Sequence, residues 1–138
     1  IRPLTQPDTN VVCYLVLLER ASLTENNTIN RRIYEALSLR TADKHHLMPY
    51  DHAFFVSRTQ LRLEQYSWQS VGDVLTGFGF TKEEYSQEGL FILRSVVMNP
   101  WLEQSKEMGA DYLSDFVKFL MNKATKIAES LIAGPLAV

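Results

Sequence analysis

The chain has 138 residues, of which 46% are hydrophobic, and its 14 Lys and Arg nearly balance 16 Asp and Glu. That length allows one sizeable core, and the composition excludes both a disordered chain and one drawn by bulk charge to a highly charged partner. One cysteine, Cys13, excludes an internal disulfide framework, and no apolar run approaches the roughly 20 residues of a membrane-spanning helix.

No repeat, low-complexity tract or linker divides residues 1–138, so a single domain is expected. A first residue other than methionine suits a domain excised from a longer protein. The lack of disulfides and of a targeting segment points to an intracellular, cytoplasmic location.

Pro3 and Pro7 make the start an extended lead-in. The first element, residues 11–21, opens with an unbroken apolar run over 11–18 compatible with a buried strand or a core helix, and Leu17, Leu18, Glu19, Arg20 and Ala21 favour helix. Cys13 within that run is expected to be a buried, inert thiol. The polar residues 24–28 form a turn in which Thr28 caps a helix over 29–41, with Ile29, Ile33, Ala36 and Leu37 facing inward. Residues 44–50 are a connector closed by Pro49, and Asp51 is placed to cap a further helix. Residues 52–66 alternate like a strand at Leu61 and Leu63 yet contain helix-compatible types. Ser70 opens a short helix bearing Val71, Val74 and Leu75, which Gly77 and Gly79 end. Thr81 and Glu84 form a capping box, opening a helix towards Met98 with Tyr85, Gly89, Ile92, Leu93 and Val96 inside. Asn99-Pro100 repeats the start signal. Over 110–133, Leu113, Phe116, Val117, Leu120, Ala124, Ile127 and Leu131 recur at helical spacing, and Gly134-Pro135 stops the helix. The expected fold is all-α, a compact bundle of five to seven helices with a long amphipathic C-terminal helix. The alternative is α+β with a short hairpin near 52–66.

No Gly-rich phosphate loop, nucleophile elbow, His-Glu-x-x-His, Cys-x-x-Cys or calcium loop is present, so neither an enzyme nor a cofactor is expected. His45, His46 and His52, with Asp43 and Asp51, are a cluster with metal-ligand chemistry, but adjacent histidines diverge and no ligand spacing appears, so no metal is assigned. Residues 70–80 and 99–104 are not spaced as in the Bcl-2 group, whose Asn-Trp-Gly-Arg is absent, and no family is assigned.

Two surfaces remain. Tyr112 and Phe119 lie one heptad apart beside the main stripe of the last helix, and with Trp68 and Trp101 they are expected to bind a protein partner or a second copy. Arg31, Arg32, Arg40, Arg58 and Arg62, interleaved with Tyr34, Tyr50, Phe54 and Phe55, combine phosphate contact with stacking, as binding of RNA or single-stranded DNA requires. The expected function is a non-enzymatic, regulatory protein-interaction or self-association module of a larger assembly; nucleic-acid binding is the alternative.

Overall fold

A computed structural model describes residues 1–7, 9–38, 54–97 and 100–132. The expectations for Arg40, Asp43, His45, His46, Pro49, Asp51, His52, Asn99 and Gly134-Pro135 lie outside the described residues. In chain order the elements are β1 (Arg2–Pro3), β2 (Val11–Leu15), α1 (Leu23–Leu37), β3 (Ser57–Leu61), α2 (Trp68–Gly77), α3 (Lys82–Glu88), β4 (Leu90–Val96), α4 (Leu102–Glu107) and α5 (Tyr112–Ile132). The strands form one antiparallel sheet in the order β1-β2-β4-β3.

The fold is therefore α+β, which corrects the all-α bundle. Residues 11–15 are a strand because β1 and β4 flank them and apolar layers cover both faces. Burial on both sides removes the alternation that would have distinguished strand from helix. The helix expected from 82 to 98 ends at Glu88, where Gly89 turns the chain at φ 67°. A Cβ at Gly89 would run into the Leu61 carbonyl oxygen, so only glycine allows β3 and β4 to approach there. The chain continues as β4, whose first four residues are all buried. Over 52–66 the strand reading is the closer one, but β3 pairs with the distant β4, with α2 and α3 between them, and forms no local hairpin.

Helix boundaries shift for local reasons. α1 starts at Leu23 because Ser22 and Glu25 form a reciprocal capping box, ahead of the expected Thr28 cap. α2 starts at Trp68 after Ser67, earlier than the expected Ser70. The Thr81–Glu84 box caps α3 as its residues indicate. Asp111 accepts the Ser114 N–H at 3.1 Å and opens α5.

Alternate residues of β4 serve two cores. Phe91 and Leu93 join Tyr14, Val16 and Val56 under Ile29, Ile33 and Leu37 of α1 and Leu120 and Ala124 of α5. Leu90 and Ile92 join Leu15 and Leu23 against Leu75 of α2, Tyr85 of α3 and Phe80 between those two helices. The sheet is thus sandwiched between α1 with α5 and α2 with α3.

Three buried asparagines fasten α1 to the sheet. The β2–β4 register pairs Tyr14 with Leu93, and continuing it would set Val16 opposite Phe91. The backbone groups there bond to side chains instead. Asn30 Oδ1 accepts the Val16 N–H at 2.9 Å, and Asn30 Nδ2 donates to the Val16 carbonyl at 2.8 Å. Asn27 accepts the Phe91 N–H at 2.8 Å and donates to the Gly89 carbonyl at 2.9 Å. Asn26 accepts the Leu18 N–H at 2.8 Å and donates to the carbonyls of Ala21 and Ser22. Each amide supplies both a donor and an acceptor, and so completes a backbone edge that would otherwise be buried unpaired.

Asn30→Ala should lower stability by roughly 3 kcal/mol, because it strands both polar groups of Val16 in the core. Thr28→Ala removes only an exposed hydroxyl that bonds the Thr24 carbonyl of its own helix, and should cost less than about 0.5 kcal/mol. Urea unfolding of the two variants against wild type provides the measurement.

Glu84 joins two helix starts. Its carboxylate accepts the Leu23 N–H of α1 at 3.0 Å and the Thr81 N–H at 2.9 Å. Those backbone bonds, to Leu23 first and Thr81 second, hold its pKa below the ordinary 4.5. A carboxyl whose pKa falls on folding stabilises the fold above its unfolded pKa and loses that contribution as pH drops through the folded value. Glu84→Gln should therefore flatten the pH dependence of stability below pH 4.5 relative to wild type, as followed by thermal melting across the acid range.

Candidate docking groove

α5 carries more apolar surface than its neighbours cover. Leu120 and Ala124 are buried, whereas Leu113 and Val117 remain 49% exposed. Leu113 and Val117 thus belong to the stripe by spacing but lie outside the core. Beneath the first half of α5, next to β1, β2 and the end of β4, lies a groove of about 550 Å³. Ile1, Pro3, Val12, Tyr14, Val96, Leu113 and Val117 are among the residues that line it.

Strand periodicity supplies the floor. Val12 and Tyr14 of β2 share a face, and Ser95 of β4, paired with Val12, lies on that same face. Phe116 stands edge-on to Tyr14 with ring centroids 6.4 Å apart, and edge-on to Phe54 at 5.3 Å. No acidic, basic or histidine residue is among the described lining residues. The floor does contain one polar pair, in which the Tyr14 hydroxyl and Ser95 Oγ lie 2.8 Å apart. Burial pushes the Tyr14 phenol up to about 12, against the opposing pull of Ser95, so the phenol is neutral at ordinary pH. Such a lining suits shape-matched apolar contact with few hydrogen-bonding points.

The structure separates the aromatic residues expected to act together. Tyr112, 49% exposed, lines the groove. Phe119 is partly buried beside Phe54, with centroids 5.4 Å apart, and Lys123 sits over its ring. Trp68 belongs to the opposite face of the sheet, packed near Tyr85. Trp101 is exposed at the start of α4, next to Leu102 in the groove wall. Of the arginines, Arg31 and Arg58 each place Cζ near the Phe91 ring, at 5.1 and 5.8 Å from its centroid, while Arg32 and Arg62 are exposed. Among the described residues no group of three His, Cys, Asp or Glu is arranged to hold a metal ion. None of their helices is long and apolar enough to cross a membrane.

The groove residues Val12, Tyr14, Ser95 and Val96 are hidden in the sequence because the pattern there assigns them to helices. One signal is available. Tyr112, Leu113, Phe116, Val117, Phe119, Leu120 and Met121 wrap far more of α5 than one packing partner covers.

No curated protein matches the chain. The family model described as tyrosine decarboxylase, C-terminal, matches residues 1–124. This overturns the expectation of a chain that is not an enzyme, since the match points to an enzyme family, and it points to a decarboxylase domain in place of a regulatory protein-binding module. The chain belongs to the tyrosine decarboxylase C-terminal domain family.

Proposed function

We propose that this domain serves a tyrosine decarboxylase by docking its apolar groove onto the preceding portion of that enzyme. The observation that carries this reading is the groove itself, an apolar surface without a charged side chain among its described residues. A C-terminal domain shares its chain with the rest of the enzyme, and that tethering raises the effective concentration of the enzyme body at the groove. Large exposed apolar patches mark contact sites, and interface cores are depleted of charge in the same way.

Loss of the α-carboxylate from an amino acid leaves a carbanion that needs an electron sink, such as pyridoxal phosphate held through a lysine. The described groove residues include no lysine and no other cationic side chain to meet a phosphate or a carboxylate, so they do not fit that group. On this reading the groove excludes water from a contact, and the bond-breaking step belongs to residues outside it.

The test is the double variant Leu113→Asp/Val117→Asp in a complete tyrosine decarboxylase carrying this domain. Each wild-type side chain contributes on the order of 1.5–3 kcal/mol when fully buried, so loss of the contact should lower the enzyme's melting temperature and its rate of tyrosine decarboxylation together. Circular dichroism of the same variant in the 138-residue chain should be unchanged, because both positions are half-exposed there. Full activity and unchanged melting of the complete enzyme would refute the docking role. Dimerisation of the isolated chain, abolished by the same variant, would replace the enzyme body with a second copy as the occupant.

A further inference from the structure

A second surface has different chemistry and shares no residue with the groove. Phe91 of β4 is 2% exposed although it neighbours the edge strand β3, and two guanidinium groups approach its ring. Arg31 Cζ, from α1, lies 5.1 Å from the ring centroid, and Arg58 Cζ, from β3, lies 5.8 Å from it. Arg58 is also 5.5 Å from the Tyr34 centroid, and the Tyr34 and Phe91 rings pack edge-to-face at 6.1 Å. Among the described residues the ion pair is Lys106 with Asp111, so neither Arg31 nor Arg58 is neutralised by a carboxylate of that set. A cation–π contact uses none of a guanidinium's N–H donors, which stay available to a bidentate acceptor. Both Cζ atoms lie within 5.8 Å of one ring centroid, so an anion near that ring is attracted by both charges.

We propose that Arg31 and Arg58, oriented by Phe91 and Tyr34, form an oxyanion site whose ligand is a phosphate group. Phosphate suits the site because its near-dianionic charge matches two guanidinium groups and its oxygens accept from both forks. Because none of the four residues lines the groove, the proposal does not depend on the docking role.

Calorimetric titration of the 138-residue chain with inorganic phosphate, at ionic strength held constant with chloride, tests it. One saturable site is expected. Arg31→Lys and Arg58→Lys each retain the charge but lose the planar fork, and each should weaken binding by about ten-fold. Arg32→Gln removes a neighbouring exposed charge and should change affinity by less than about two-fold. Unchanged chemical shifts of core residues such as Leu75 and Leu90 verify that the lysine variants remain folded. A sugar phosphate that binds more tightly than inorganic phosphate identifies the source as a phosphate monoester; equal affinity identifies the free ion. The proposal fails if no saturable heat appears at millimolar phosphate, if the lysine variants bind like wild type, or if Arg32→Gln is as damaging as they are. It fails also if a thymidine oligonucleotide binds far more tightly than phosphate and depends equally on Arg32, since that describes a nucleic-acid face.

Discussion

Past the Tyr14–Leu93 pair, β2 and β4 stop bonding to one another and each bonds to asparagines of α1. The arrangement solves a specific problem. A helix laid across the point where two buried strands diverge covers backbone groups that water can no longer reach, and those groups must find partners. Alanine or leucine at positions 26, 27 and 30 would make a better helix in isolation but would leave the strand ends unsatisfied. The asparagines accept a penalty in helix propensity and in return set the height, angle and register of α1. The apolar contacts of Ile29, Ile33 and Leu37 derive from that placement.

Much of the remaining architecture descends from the same fixture. With α1 held over the Phe91 and Val16 end of the sheet, α5 packs beside it through Leu120 and Ala124. Its earlier turns then pass over the far end of β2 and β4, with no second described helix filling the space beneath them. The groove is the consequence. Its floor is rigid because Tyr14 is held both by Ser95 and by the edge of Phe116. Its upper wall keeps Leu113 and Val117 on the same helix face as the buried Leu120, four and three residues apart along the stripe. A side chain cannot be moved from groove to core there without rotating the whole helix.

The parts of this fold that are legible in the sequence are those specified by neighbours in the chain. Thr81 with Glu84 marks the start of α3, and the spacing from Leu113 to Leu131 marks α5, since capping and helical periodicity are local. Ser22 with Glu25 is an equally local signal, obscured because Asn26 and Asn27 resemble turn residues when their tertiary partners are unseen. The central strands are not legible. Val11–Leu15 and Leu90-Phe91-Ile92-Leu93 are apolar on both faces, so their type is decided by neighbouring strands and two helical layers, most of them distant in sequence. The docking groove is hidden for the same reason, because Tyr14 and Ser95 are neighbours only through a β2–β4 register that spans most of the chain.

The arginines illustrate how the same residue type acquires different meaning from its platform. In the sequence Arg31, Arg32 and Arg58 are equivalent positive charges, and their tyrosine and phenylalanine neighbours suggest stacking with bases. In the fold Phe91 is buried and Tyr34 packs edge-on against it, and the guanidinium groups of Arg31 and Arg58 lie near these two rings. Arg32, one residue along α1 from Arg31, is turned about 100° around the helix axis and shares none of this. A charge pattern therefore becomes a binding surface only where the packing beneath it restricts the direction in which each charge is presented.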